Sequence, residues 1–140
     1  MGSGWCMAMA AKLAYPEKPV VSVTGDGAFM MTLNELATAV DNKLPVLVVV
    51  PHNSVYGNVR RKQFEHFDER FAGSELYIPD LAKVAGSFGA YGERVEKPAE
   101  IIPALERALA SGKPAVLDVI IDASREHLEP PAKLRVKDRY

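Results

Sequence analysis

A parallel α/β sheet with helices on both faces is the fold class that this sequence predicts. Three observations lead there. Apolar runs of strand length alternate with segments of helical period along most of the chain. The run Val46–Val50 is apolar at every position, as in strands of a parallel sheet covered on both faces. Small or polar residues close two of the runs, Gly25-Asp26-Gly27 after the first and His52-Asn53-Ser54 after the second. Strand and helix in alternation imply parallel strands joined by right-handed crossovers.

The elements follow in order. Residues 3–14, rich in Ala and Met, read as a helix that stops at or before Pro16. Val20–Thr24 is β-branched and reads as a buried strand. Thr32 and Glu35 have the T-x-x-E spacing of a capping box and open a helix through about Asp41, with Leu33, Leu36, Ala37 and Val40 on its apolar face. Pro45 precedes the strand Val46–Val50. Residues 54–78 are less regular, and Phe64, Phe67 and Phe71 recur at helical spacing as a core-facing stripe. Pro79-Asp80 opens a helix to about Phe88, and Gly89–Val95 leads into a short third strand. Pro98 suits the first turn of a helix. Ile101, Ile102, Leu105, Ala108 and Leu109 mark one face of that helix, which ends near Gly112. Ala115–Ile121 is the fourth strand. Residues 1–123 form the expected domain, and the proline-containing, charged stretch 124–140 reads as a surface tail.

Composition bounds the function. A chain of 140 residues suits one domain, and a net charge of −1 gives no electrostatic case for nucleic acid or an anionic membrane. Arg60, Arg61 and Lys62 read as a solvated face. The single cysteine, Cys6, excludes an intramolecular disulfide and a cysteine-based metal site, and reads as a buried apolar side chain. His52, His66 and His127 have no zinc spacing. No apolar run has the length of a membrane span, and the first residues lack the basic start of a signal peptide, so a cytoplasmic setting is expected.

The strand ends carry the chemistry. Residues just past two parallel strands meet at the carboxyl edge of the sheet, where open α/β folds bind ligands. A strand, a crossover helix and a second strand fill the interval between Asp26 and Asn53, which therefore meet there. Asp26 offers a carboxylate oxygen, Asn53 an amide oxygen and Val55 a main-chain carbonyl. Hard oxygen donors suit Mg²⁺ or Ca²⁺, and Mg²⁺ shares its shell with phosphate oxygens and water. Gly25 and Gly27 permit close backbone approach, and their amides with that of Ala28 face a phosphate. Each part alone has a plainer reading, since G-D-G also describes a tight turn and an Asn after a strand is commonly a turn residue. The combination suits a metal-bridged diphosphate.

The stretch GDGAFMMTLNELATAVDNKLPVLVVVPHN resembles the cofactor motif of the thiamine diphosphate (ThDP) enzymes, which begins G-D-G and ends in N-N or a variant. MGSGWCMAMAAKLAYP and VEKPAEIIPALERALASGKPAVLDVIID resemble flanking segments of the C-terminal, ThDP-binding domain of the acetolactate synthase and benzoylformate decarboxylase group, so the resemblance covers residues 1–123. It implies a Rossmann-like ThDP-binding fold and the cofactors ThDP and Mg²⁺. It implies metal ligation by Asp26, Asn53 and the Val55 carbonyl, and places Gly25, Gly27, Ala28, Tyr56 and Gly57 along the diphosphate. Met1 matches the apolar residue that props the cofactor in its bent form, with Gly2 near the aminopyrimidine. The substrate implied is a 2-keto acid, decarboxylated or joined to a second carbonyl compound, with the cofactor as electron sink.

The chain departs from the family pattern in three ways. His52 stands where the first Asn of N-N is usual, a position that does not ligate the metal. The proline often found near Cys6 and Met7 is missing. The family's catalytic glutamate belongs to a pyrimidine-binding domain, and strands that normally precede Met1 are absent, so the chain reads as N-terminally truncated and inactive by itself. Alternatives are the cofactor subunit of a split enzyme completed by a partner, and a non-catalytic remnant that self-associates into a homo-oligomer. A phosphate-binding domain of receiver or nucleotide type is a further alternative, opposed by the lack of G-x-G-x-x-G and P-loop motifs.

Overall fold

The computed structural model describes residues 1–123, so the tail expected over 124–140 lies outside the described residues. The elements run α1 (Ser3–Ala14), β1 (Val20–Val23), α2 (Asp26–Met30), α3 (Leu36–Asp41), β2 (Val46–His52), α4 (Gly57–His66), α5 (Leu81–Ser87), β3 (Tyr91–Val95), α6 (Ile101–Ala110) and β4 (Ala115–Ile120). The strands form one sheet in the order β1-β2-β4-β3, and all three ladders are parallel. Val20 pairs with Val46, Leu47 with Ala115, and Tyr91 with Ala115. The fold class matches the expectation from sequence.

The period of two along β2 divides the core. Val46, Val48 and Val50 point to one face, where they pack with Trp5, Ala8 and Met9 of α1, Leu36 and Ala39 of α3, and Leu81 and Ala85 of α5. Leu47 and Val49 point to the other face, toward Ala104 and Ala108 of α6. Both faces of β2 are therefore dry, and a polar side chain between its ends would lose hydration without gaining a partner. A salt bridge from Arg107 of α6 to Glu93 of β3 ties that helix to the sheet edge and holds the Glu93 carboxyl below its usual range.

Five expectations need correction. β1 is buried on one face only. Val21 and Val23 are 49% and 71% exposed, because β1 is an edge strand and α6 packs over the far side of the sheet. The Thr32–Glu35 capping box does not form. A 3-10 turn over Leu33–Glu35 precedes α3, the Thr32 hydroxyl donates to the Gly2 carbonyl, and the Glu35 carboxylate accepts from Asn34 and Thr38 side chains. Phe64, Phe67 and Phe71 are exposed and form no core stripe, and Phe71 instead lies under the Arg60 guanidinium at 4.5 Å. On α6, Ile102 and Leu109 face outward, and the narrow buried stripe is Ala104 and Ala108. Cys6 is partly buried against the core and not fully enclosed.

Candidate cation and diphosphate site

The site begins at the carboxyl ends of β1 and β2, which run side by side. Asp26 opens α2 immediately after the extended Gly25, and its side chain is only 3% exposed. Its Oδ2 accepts the amide of Ser54 at 2.7 Å and that of Asn53 at 3.1 Å, and its Oδ1 accepts the amide of Gly27 at 2.7 Å. Thus the structure brings together the carboxylate and the amide-bearing loop that stand far apart in sequence. Among the described residues no Lys, Arg or His pairs with Asp26. A buried carboxylate that receives main-chain amides but no cationic side chain has its hydrogen bonds met by the protein but no countercharge.

The loop after β2 is tightly specified. Asn53 Oδ1 accepts the Val55 amide at 3.3 Å, an Asx turn, and Ser54 takes a left-handed φ of 60°. Residues 74–76 then run antiparallel to the loop: the Tyr56 amide donates to the Ser74 carbonyl and the Leu76 amide to the Ser54 carbonyl, both at 2.8 Å. Among the described residues no main-chain amide outside the regular elements donates to the Val55 carbonyl, which leaves that oxygen for another donor or a cation.

A cavity of about 220 Å³ lies against this edge, lined by Met1, Gly25–Ala28 and Val55–Val59. Met1 forms an exposed apolar wall. Gly2 is buried beside it in a left-handed conformation, and its carbonyl is held by Thr32. Gly27 is needed for close approach, since a Cβ there would lie 2.5 Å from Tyr56 Cε1 and 2.8 Å from Leu76 Cδ1. The amides of Gly27 and Ala28 are engaged within their own turn, by Asp26 Oδ1 and the Gly25 carbonyl. The first turn of α4 offers further donors on the cavity wall, at Gly57, Asn58 and Val59. Asn58 and Val59, in the first turn of α4, were not singled out from sequence, because the start of the less regular stretch 54–78 carries no helical spacing that would have marked them.

A second polar cluster lies deeper at the same edge. Asp118, fully buried on β4, accepts from His52 Nδ1 at 2.6 Å, the Leu81 amide at 3.2 Å and Arg94 Nη1 at 3.4 Å. His52 Nε2 is 3.0 Å from Ser54 Oγ. Among the described residues no three His, Cys, Asp or Glu side chains converge as a metal site, so any cation here relies on mixed oxygen donors. Nor is any described helix long and apolar enough to cross a membrane.

A twisted parallel sheet with a carboxylate and an amide loop at its carboxyl edge defines a cofactor-binding α/β domain. The chain belongs to the thiamine pyrophosphate enzyme C-terminal TPP-binding domain family, whose pattern matches residues 1–119. It is 38% identical over 125 residues to a probable acetolactate synthase large subunit of Methanocaldococcus jannaschii, covering 87% of this chain and 21% of that protein. It is 37% identical over 134 residues to the acetolactate synthase isozyme 3 large subunit of Escherichia coli, covering 93% of this chain and 23% of that one. Its fold superposes with a TM-score of 0.79 and 26% identity on the thiamine diphosphate-dependent 4-hydroxybenzoylformate decarboxylase of Rhodococcus jostii RHA1, over 88% of this chain and 24% of that enzyme. The chain therefore spans about a fifth to a quarter of the length of these relatives.

Proposed function

We propose that this chain forms the Mg²⁺- and diphosphate-holding edge of a ThDP-dependent enzyme acting on 2-keto acids, with acetolactate synthase-like chemistry. One observation carries the reading: Asp26 is buried, fixed by three main-chain amides and unmatched by any cationic side chain among the described residues. In this reading Asp26, the Asn53 side chain and the Val55 carbonyl hold the cation. An oxygen set with one formal charge suits Mg²⁺ bridged to a diphosphate, because the phosphate oxygens complete both charge and shell. Gly25, Gly27, Ala28, Tyr56 and Gly57 line the diphosphate, and the first turn of α4, which lines the same cavity, offers main-chain amides to it. Met1 and Gly2 border the rest of the cofactor. Bound ThDP supplies the electron sink for a 2-keto acid. The chain's own residues bind it, orient it and shut water out along the Tyr56–Gly27 contact.

The proton-handling glutamate belongs, in this reading, to a pyrimidine-binding domain, whether in the same polypeptide, a second copy or a partner subunit. The exposed Val21 and Val23 beside the outer edge of β1 favour an assembled state over a lone chain. A cytoplasmic setting fits the single cysteine. The test is a calorimetric titration with ThDP, with and without Mg²⁺. Saturable binding that requires the metal is the expected result; binding that ignores the metal, or none under either condition, would overturn the reading.

A further inference from the structure

The chain of contacts from Ser54 through His52 to Asp118 has no part in the cofactor contacts described above. Asp118 is fully buried, and its two oxygens already face the Leu81 amide, Arg94 and the His52 ring. As an acceptor it fixes the proton of His52 on Nδ1. Nε2 and the Ser54 hydroxyl share a hydrogen bond across 3.0 Å, which the hydroxyl satisfies as donor or acceptor. Ser54 thereby has its side chain tied to the end of β2, its amide tied to Asp26 and its carbonyl tied to Leu76. It adopts φ of 60°, a conformation that an L-residue with a Cβ adopts only at a cost unless its surroundings fix it.

We propose that Ser54 is a positioning residue: its hydroxyl, anchored by His52 and through it by Asp118, holds the loop 53–55 in the left-handed turn that sets Asn53 and the Val55 carbonyl beside Asp26. This rests on the reading of that edge as a cation site. The order serine, histidine, aspartate is also that of a nucleophile with its base and orienting acid. Two features assign positioning instead. The cavity wall starts at Val55 and leaves Ser54 out, and the Ser54 amide is already engaged with Asp26. His52 lies on β2, Asp118 on β4 and the Leu81 amide that holds Asp118 on α5, so this anchor ties the loop to the rigid part of the sheet.

Two variants separate the backbone role from any other role of the hydroxyl. Ser54→Ala removes the anchor and keeps the Cβ that disfavours the left-handed turn. Ser54→Gly removes the anchor and the Cβ together. In calorimetric titrations of the full chain with Mg²⁺ at saturating ThDP, Ser54→Ala should bind Mg²⁺ about tenfold more weakly, and Ser54→Gly should recover most of the loss. In the cofactor-free chain, hydrogen exchange at the residue-54 amide should be slow in the wild type, faster in Ser54→Ala and slow again in Ser54→Gly. Wild-type affinity in Ser54→Ala, or equal weakening in both variants, overturns the proposal. So does covalent labelling of Ser54 by a fluorophosphonate probe. If the wild type binds no ThDP, the cation-site reading fails; the exchange arm still shows whether the hydroxyl sets the turn.

Discussion

Two buried aspartates stand near the same edge of the sheet, and their surroundings differ in kind. Asp118 is surrounded by donors that include the Arg94 guanidinium and the His52 ring, and its charge is met inside the protein. Asp26 receives amides alone, from Gly27, Asn53 and Ser54. Amides orient a carboxylate and lower its cost of burial, but they bring no net charge. The comparison teaches that burial by itself does not mark a binding group. What separates a structural carboxylate from one that calls for a cation is whether the protein supplies the countercharge.

Substitutions can break this contrast or sharpen it. The largest effect should come from Asp118→Ala, which strands the His52 ring, the Leu81 amide and Arg94 together. A loss of about 3 kcal/mol is expected, because the buried His52 ring and Leu81 amide both lose their acceptor, and urea unfolding followed by circular dichroism would measure it. Asp26→Asn should do the reverse. It should abolish Mg²⁺-dependent ThDP binding, by at least about a hundredfold or 2.7 kcal/mol, while lowering the metal-free urea midpoint less than Asp118→Ala does, since only one of the two amide-accepting oxygens is replaced. Large unfolding in Asp26→Asn with retained binding would erase the distinction between the two aspartates. Gly27→Ala should cost about 1–3 kcal/mol of stability, because its Cβ would push against Tyr56 and Leu76, and should weaken ThDP binding along with it.

The smallest effect concerns Asp80, which caps α5 next to the Leu81 amide that Asp118 holds. Its side chain accepts the Lys83 amide, and that bond is the leading cause holding its carboxyl below the usual range. A carboxyl lowered in the folded state adds stability above its ordinary titration range and loses it as pH falls through the folded value. Asp80→Ala should therefore cost about 1 kcal/mol at pH 7, and the gap to wild type should narrow as the solution is acidified below the ordinary aspartate range. A constant gap across that range would assign the effect to packing.

Legibility in the sequence followed the range of the physics involved. The meeting of Asp26 with the Asn53 loop was readable because one βαβ unit brings its two strand ends together whatever the rest of the chain does. The pairing of His52 with Asp118 was not readable, since it depends on β4 lying next to β2, and strand order is set by packing across the whole sheet. The spacing of Phe64, Phe67 and Phe71 pointed to helical structure but could not say which side meets the core. Only Phe64 lies in α4, and all three are exposed. Thr32 had the spacing of a cap yet bonds Gly2 from outside its own helix, a contact created only when α1 docks. The left-handed turn at Ser54 left no trace in sequence, because serine at such a position is held there by distant groups and not by its own preference.

The order of the strands has a consequence for how the chain acquires its site in time. Among the described residues no two neighbouring strands of the sheet are antiparallel, so no hairpin among them can start the sheet, and each ladder waits for a crossover to fold back. The β1–β2 and β3–β4 ladders each close over a single crossover, whereas β2–β4 joins the two halves across about half of the chain. Asp26 and the Asn53 loop belong to the first half, and Asp118 belongs to the second. Closing the long loop is the slow, entropically expensive event. The topology therefore predicts that refolding chains form the shape of the cation edge early and gain a rigid one only when the halves join, so that the return of cofactor affinity would time the last step of folding.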